Sequence, residues 1–132
     1  RELEQLIWQR ANHCCEYCLF PADLSLLPFQ IDHIISQKLN GPTTAENLAL
    51  SCERCNSYKG PLAAGYLEGR HVPLFNPRID RWLDHFEWNG PYLIGKTDIG
   101  RATIEVLAIN LPYRVTLRAS LMEEGVYPLP KA

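Results

Sequence analysis

The sequence predicts an α+β fold in which a strand-bearing first half is followed by an α-rich second half with a small hairpin. Three observations support this class: short β-branched stretches between polar loops, apolar residues at helical spacing, and five cysteines confined to the first half. The chain has 132 residues, which is enough for one domain with its own core. We expect a single domain made of residues 1–60 and of residues 61–132 packed on them.

The elements of the first half follow from local signals. Apolar residues at helical spacing predict the first helix, and the isoleucines after Phe29 predict a strand. A polar segment containing Gly41-Pro42 predicts a loop, and Gly60-Pro61 should end a short helix. In chain order the expected elements are helix 2–12, strand 29–35, loop 36–46, strand 48–50 and helix 53–58.

The second half begins with residues 61–78, whose prolines and glycines predict an extended connection. The Asn89-Gly90 pair predicts a turn between two short strands. Thr97 or Asp98 should cap a helix, and Pro112 suits the first turn of the last one. The expected elements are a helical turn within 79–86, strands 86–88 and 92–94, and helices 99–109 and 112–125.

The bulk composition excludes several classes of protein. With 46% hydrophobic and 21% charged residues the chain is neither disordered nor fibrous, and no apolar run is long enough to span a bilayer. The net charge of −2, from 13 basic and 15 acidic residues, counts mildly against a nucleic-acid partner. No leader is visible at the start, so we expect a cytoplasmic protein without a membrane partner.

Four of the five cysteines form two Cys-x-x-Cys pairs. Two residues between cysteines allow a tight turn to aim both thiolates at one point, and four thiolates suit tetrahedral Zn²⁺. Free cysteines of this kind are typical of a metal site in a reducing compartment rather than of a disulfide framework. The predicted structural zinc ligands are Cys15, Cys18, Cys52 and Cys55.

Each pair taken alone has a simpler interpretation as buried thiols or, for one pair, a redox dithiol. Two pairs on either side of a long polar insert favour zinc. Cys14 is the spare cysteine, because using it in place of Cys15 would remove the two-residue spacing; we expect it to be structural.

Polar residues that could bind a metal ion or act in catalysis lie in and just after the segment between the two cysteine pairs. Asp32-His33 lies in the first predicted strand, Asn47 opens the second, and Asn56 directly follows Cys55. A carboxylate, an imidazole and a carboxamide near a zinc site can form a hard-metal and general-base site. Taken singly, each has a commoner role: a surface or satisfied histidine, a strand-end cap, a turn residue or a helix N-cap.

Together these segments resemble the HNH endonuclease motif, in the variant with cysteine pairs. His33 and Asn47 are 14 positions apart, and Asn47 and Asn56 are 9 apart, which suits the ββα-metal (His-Me finger) core of that family. Residues 61–132 also resemble the segment on the C-terminal side of the motif in a group of bacterial HNH proteins. The matching segments are Asp32-His33-Ile34, Asn47-Leu48-Ala49-Leu50 and Cys52-Glu53-Arg54-Cys55-Asn56-Ser57-Tyr58-Lys59.

The resemblance implies a role for each residue of the motif. His33 would be the general base that deprotonates the attacking water, and Asn47 would hold the loop that orients it. Asp32 and Asn56 would bind one catalytic divalent ion, Mg²⁺ or Mn²⁺. Asn56 stands where many family members have His, and its amide oxygen is a harder ligand than imidazole.

Lys38, Arg54 and Lys59 are candidates for contact with substrate phosphates, with solvated charges as the alternative for each. Lys59 is favoured because it lies one helical turn past Asn56.

Three functions stay open at this point. The first is a nuclease acting on DNA, the second an inactive zinc-stabilised module that binds nucleic acid or protein, and the third a nuclease acting on RNA. The complete Asp-His/Asn/Asn set argues against the second. We expect Cys52→Ser to impair folding and Asp32→Ala to spare the fold while removing metal-dependent cutting. The sequence does not predict the oligomeric state.

Overall fold

The computed structural model describes residues 1–129, and its mixture of helices and small sheets confirms the predicted α+β class. The helices are α1 Glu2–Arg10, α2 Glu53–Lys59, α3 Trp82–His85, α4 Asp98–Val106 and α5 Pro112–Glu123. The strands are β1 Gln30–His33, β2 Leu48–Ser51, β3 Ala64–Leu67, β4 Arg70–Pro73, β5 Phe86–Asn89 and β6 Tyr92–Gly95. Short 3₁₀ turns cover Ala22–Leu24, Gln37–Leu39 and Ala45–Asn47.

The first half is organised around the antiparallel β1–β2 pair and the helix α2 that comes after it. In the register of the pair Ile31 lies opposite Leu50 and His33 opposite Leu48. Helix α2 starts directly after β2, where Cys52 is its N-cap and accepts a hydrogen bond from the Cys55 amide. This β–β–α order is the arrangement that the HNH resemblance implies.

Helix α1 covers one side of the β1–β2 pair and forms a small apolar cluster with it. Ile7 of the helix packs there with Leu48 and Leu50, and all three side chains are buried. The helix ends two residues earlier than predicted, because Asn12 and His13 both adopt positive φ and turn the chain toward the first cysteine pair.

A third hairpin, β3–β4, occupies the middle of residues 61–78, where the sequence predicted only an extended connection. Its two-residue turn has φ of +48° at Glu68 and +78° at Gly69, the backbone of a tight hairpin turn. The prediction was wrong because Glu is an unusual residue at the first of these positions, where Asn, Asp or Gly gives the usual signal.

The predicted hairpin and helices of the remaining segment are present with small shifts in their ends. Thr97 caps α4 by accepting a hydrogen bond from the Gly100 amide at 3.0 Å. Helix α4 packs directly on β6: a Cβ on Gly95 would lie 2.5 Å from the Arg101 nitrogen, so a larger side chain cannot fit there.

One continuous apolar cluster joins the two halves of the chain. Leu74, Phe75 and Phe86 of the second half are buried in it together with Cys15 and Cys55 of the first. A half-buried ion pair between Glu16 and Arg78 crosses the same boundary. The predicted division at residue 60 therefore runs through a shared core.

Within residues 1–129, every helix is too short or too polar to cross a lipid bilayer.

Candidate metal centre and active site

The four predicted zinc ligands converge on one point. The ligand sulfurs of Cys15, Cys18, Cys52 and Cys55 all lie within 4.8 Å of one another, and all four residues are buried. The Sγ atoms of Cys18 and Cys52 are 3.7 Å apart. Tetrahedral Zn–S bonds of about 2.3 Å place two sulfurs roughly 3.8 Å apart. The four cysteines are therefore positioned to bind one metal ion, and the Cys18–Cys52 separation matches that of two zinc ligands.

Each cysteine pair is aimed by its own turn. The Cys18 amide lies 3.5 Å from Cys15 Sγ, and the Cys55 amide lies 3.4 Å from Cys52 Sγ. Such N–H contacts favour the thiolate form that binds metal. Cys14 lies outside the cluster and forms an isolated bridge with Pro21 instead, as its interpretation as a structural residue predicted.

The residues between Cys15 and Cys18 hold the first cysteine turn in place. Glu16 accepts a hydrogen bond from the Leu50 amide through its carboxylate and donates its own amide to the Leu50 carbonyl, both at 2.9 Å. Trp82 Nε1 donates to the Tyr17 carbonyl at 2.9 Å. These contacts hold the first cysteine turn against β2 and the second half.

The electrostatics of the cluster depend on one arginine from the second half. Arg114 Nη2 donates to Cys55 Sγ at 3.1 Å, and the residue is 6% exposed. Burial raises the pKa of the Cys15 and Cys55 thiols in the absence of metal. Burial also opposes the charge of Arg114, yet the pKa of Arg114 rises because cysteine sulfurs surround it. A cation beside the sulfurs offsets part of the negative charge of four thiolates around one divalent ion.

Asp32 lies near the end of β1, and its carboxylate is buried rather than open to solvent. It is 5% exposed, and its Oδ2 accepts a hydrogen bond from the Tyr17 hydroxyl at 2.8 Å. Burial raises the pKa of Asp32 above the ordinary value, against the opposing effects of Lys59 and Tyr17. Tyr17 belongs to the first cysteine turn, so Asp32 is connected directly to the metal centre.

Lys59 completes this arrangement from the last turn of α2. Its Nζ lies 3.1 Å from Asp32 Oδ2 and 3.3 Å from Oδ1. It donates to the carbonyls of His33 and Ile34, each at 3.2 Å. Four oxygens thus surround one cation, and their hard donor chemistry fits Mg²⁺ or Mn²⁺. A divalent ion bound there would take the position that the ammonium holds.

The predicted contact between Lys59 and substrate phosphate is not available in this structure. The side chain is 1% exposed and its charge is neutralised inside the protein by Asp32. Sequence reasoning placed Lys59 one turn past Asn56, which is correct, but the helix face that carries it turns inward.

His33 leaves β1 beside Asp32, but with different partners. Successive side chains of a strand point to opposite faces, so the imidazole and the carboxylate diverge. His33 Nε2 lies 2.9 Å from Thr43 Oγ1, and the residue is half-buried. The positive charge of a protonated His33 would still lower the pKa of Asp32, so the two groups lie within electrostatic range.

Asn47 fastens the loop that carries Thr43. Its Oδ1 accepts from the Ile35 amide, and its Nδ2 donates to the carbonyls of Ile35 and Pro42, all at 2.9 Å. The loop 36–46 thereby closes on itself, with Thr43 held against His33 directly after the bonded Pro42. This geometry agrees with the role that the resemblance implies for Asn47.

The remaining predicted site residues occupy the surroundings of this region. Asn56 is half-buried on α2, three residues before Lys59, so both side chains lie on the same face of the helix. The Arg54 side chain is 51% exposed, with its guanidinium 5.4 Å from the centre of the Tyr113 ring. Lys38 is exposed on the loop 36–46.

Sequence reasoning missed Tyr17, Thr43 and Arg114. Tyr17 and Arg114 contact residues 15 and 59 positions away, and Thr43 contacts His33 across a ten-residue loop. No local spacing links such pairs. Only the position of Tyr17 between two predicted ligands gave a signal that it lies near the metal centre.

Two paired strands and a helix beside a four-cysteine cluster that could bind zinc are consistent with the ββα-metal class of folds. Residues 15–61 match the family model described as HNH endonuclease. The chain is also similar to "Septu protein PtuB" of Bacillus thuringiensis, with 28% identity over 104 residues. That alignment covers 77% of this chain but 38% of the relative, so the chain spans well under half the relative's length. The comparison with solved structures found no match.

Proposed function

We propose that the chain is a metal-dependent endonuclease that hydrolyses phosphodiester bonds in DNA, with Zn²⁺ in the four-cysteine centre. The observation that carries the proposal is the HNH match over residues 15–61, which includes Asp32, His33, Asn47 and Asn56 in one frame. The free cysteines favour a reducing compartment such as the cytoplasm.

In this proposal His33 is the general base. If Nε2 carries the proton and donates it to Thr43 Oγ1, the other ring nitrogen keeps a lone pair for the attacking water. Thr43 then fixes the orientation of the ring, and Asn47 holds Thr43 in place through the neighbouring Pro42. A positioned base of this kind contributes about 100-fold to 10,000-fold to the rate.

Asp32 and Asn56 are the proposed ligands of the catalytic divalent ion. Both offer oxygen donors, which Mg²⁺ and Mn²⁺ prefer. When bound, the ion would supply Lewis-acid stabilisation of the charge that develops on the leaving oxygen. Arg54 and Lys38 are exposed and are the proposed contacts to substrate phosphates outside the site.

Nicking of supercoiled plasmid DNA tests the proposal. Wild-type protein, with its zinc content verified, is assayed with and without added Mg²⁺ or Mn²⁺. We expect ion-dependent cutting that falls by about 100-fold or more in His33→Ala. His71→Ala is the matched control, because His71 is exposed on β4 and belongs to no part of the motif. Equal cutting by wild type and His33→Ala, with zinc retained in both, would reject His33 as the base.

A second candidate is a zinc-stabilised module that binds nucleic acid or protein without cutting it. The specific observation in its favour is the buried Asp32–Lys59 ion pair, which neutralises the carboxylate without a divalent ion. A protein that binds labelled DNA but never cuts it, at any Mg²⁺ or Mn²⁺ concentration, would favour this candidate. Parallel assays on labelled RNA separate a DNA nuclease from an RNA nuclease.

A further inference from the structure

Lys59 is a buried lysine whose ammonium is surrounded by oxygen atoms of Asp32, His33 and Ile34. We call this set of oxygens the oxygen cage. The Lys59 side chain is 1% exposed, and every partner described for its ammonium is an oxygen of β1 or of the next residue, Ile34. The cage consists of one carboxylate and two main-chain carbonyls. Its formal charge is −1, so one ammonium ion neutralises it completely.

A divalent ion and the Lys59 ammonium cannot both occupy this cage. The oxygens of Asp32 converge on a single point from about 3 Å, and two cations within roughly 4 Å of each other repel strongly in the protein interior. Asn56 lies on the same helix face as Lys59, so a ligand approaching from α2 meets the ammonium as well.

We infer that Lys59 is the resident cation of the Asp32 site and that a divalent ion binds there only by displacing the ammonium. This inference rests on the proposed function, which assigns Asp32 and Asn56 to the ion. Lys59 is then a positioning residue that keeps Asp32 and the end of β1 in place without the ion. It also sets the ion concentration at which the site fills.

The first test measures Mn²⁺ binding by the loss of the free Mn²⁺ signal in electron paramagnetic resonance. Lys59→Gln removes the charge but keeps an amide that can donate to the carbonyls of His33 and Ile34. We expect the Kd for Mn²⁺ to fall by at least about tenfold in this variant, because the competing charge is gone. Lys59→Arg, which keeps a cation, should not tighten binding.

Lys38→Gln is the matched control for the loss of one positive charge, since Lys38 is exposed and lies outside the cage. Its Kd for Mn²⁺ should stay within about twofold of the wild-type value, because exposed charges are screened. An unchanged Kd in Lys59→Gln, or no Mn²⁺ binding by either wild type or Lys59→Gln, would overturn the inference. A tenfold gain in Lys38→Gln as well would also overturn it.

A second measurement uses the wild-type protein and does not depend on a variant that folds. Acetylation of lysine side chains, located by mass spectrometry, should spare Lys59 and modify Lys38 when no divalent ion is added. At saturating Mn²⁺ the reactivity of Lys59 should rise at least severalfold, while that of Lys38 stays constant. Stoichiometric Mn²⁺ binding that is lost in Asp32→Asn, without any rise in Lys59 reactivity, would contradict displacement.

These outcomes are distinguishable from a failure of the proposed function. If His33→Ala cuts plasmid DNA as fast as wild type, the catalytic assignment fails whatever the Mn²⁺ titration gives. If His33→Ala is inactive but Lys59→Gln binds Mn²⁺ no more tightly than wild type, the nuclease stands and the displacement of Lys59 is wrong.

Discussion

The molecule has two positions for a cation, the four-cysteine centre and the oxygen cage around Asp32. The two differ in how their buried negative groups are neutralised. In the first, four buried sulfurs lie within 4.8 Å of one another. In the second, the ammonium of Lys59 already fills the centre. We therefore expect folding to require a metal ion in the first position and not in the second.

The pKa directions agree with this contrast. Burial raises the pKa of Cys15 and Cys55, so without metal these thiols resist ionisation in the folded protein. Burial also raises the pKa of Asp32, although Lys59 opposes the shift. For Asp32 the desolvation of a buried ion pair outweighs the attraction of its partner, a common result in protein interiors. The pair therefore specifies a local arrangement more than it adds to the free energy of unfolding.

The largest effect should come from breaking the metal centre with Cys52→Ser. Zinc contributes about 10–16 kcal/mol to the folding of zinc-finger peptides, while a whole domain is stable by about 5–15 kcal/mol. We expect Cys52→Ser to lose its zinc and to be largely unfolded at 25 °C, measured by circular dichroism and by zinc analysis.

Cys14→Ser is the matched control, because Cys14 is a buried cysteine outside the cluster. It should keep one zinc ion per chain and a cooperative unfolding transition. A folded Cys52→Ser protein with full zinc content would show that the complete sulfur cluster is not required for folding. The contrast between the two cation positions would then be wrong for the four-cysteine centre.

The next largest effect should come from Asp32→Ala. The sequence led us to expect that this change spares the fold, but the structure leads to the opposite expectation. Without Asp32 the Lys59 ammonium stays buried without a counter-charge, which costs about 3–5 kcal/mol. Urea denaturation of both proteins measures the difference in the free energy of unfolding.

The double variant Asp32→Ala with Lys59→Met tests the origin of that loss. Removing both charges should recover most of the stability, because an apolar pair of similar volume often replaces a buried ion pair without loss. If the double variant is as unstable as Asp32→Ala alone, the buried charge is not the cause. The cage would then matter for packing rather than for electrostatics.

The same contrast explains how far the sequence could predict this site. The cysteine centre was predictable because only two residues separate the cysteines of each pair, so local spacing alone brings the two sulfurs of a pair together. The partner of Asp32 was not, because Lys59 lies 27 positions away and reaches it only through the docking of α2 on β1. From the sequence alone, a lysine next to a motif is expected to lie on the surface. Whether it is buried depends on tertiary structure.

The rest of the fold obeys the same rule. The Asn89-Gly90 turn and the Thr97 cap are local signals, and both elements are present where expected. The β3–β4 hairpin was missed because its turn uses Glu68 at a positive φ that favours other residues. Asn47 was predicted as the residue that holds the loop, yet the three hydrogen bonds it makes depend on the closed loop itself.

Asn47→Ala should have an intermediate effect on stability. It tests the loop 36–46, which lies beside the second cation position. It leaves the Ile35 amide and the carbonyls of Ile35 and Pro42 without their partner, so we expect a loss of about 2–3 kcal/mol. The urea midpoint measures it. Asn47→Asp keeps the acceptor for the Ile35 amide but turns a carboxylate oxygen toward the two carbonyls, so it should lose at least as much stability as Asn47→Ala. A clearly smaller loss in Asn47→Asp than in Asn47→Ala would show that the two donated bonds contribute little.

The smallest effect should come from Tyr17→Phe, which removes a hydrogen bond between the first cysteine turn and Asp32. The Tyr17 hydroxyl donates to Asp32 at 2.8 Å from within the first cysteine turn. Because Asp32 keeps Lys59, we expect a loss of about 1.5 kcal/mol, the lower end for hydrogen bonds to charged groups. The pKa of Asp32 should rise further, since this hydrogen bond lowers it.

Zinc content decides what the Tyr17→Phe result means. The aromatic ring remains to pack edge-on against Phe75, so the cysteine turn should keep its shape and its metal ion. Tyr66→Phe, at an exposed tyrosine of β3, is the control and should leave the unfolding curve unchanged. If Tyr17→Phe lowers the affinity for zinc as well as the stability, the two positions act as one unit. The metal centre would then sense the charge state of Asp32 through a single hydroxyl group.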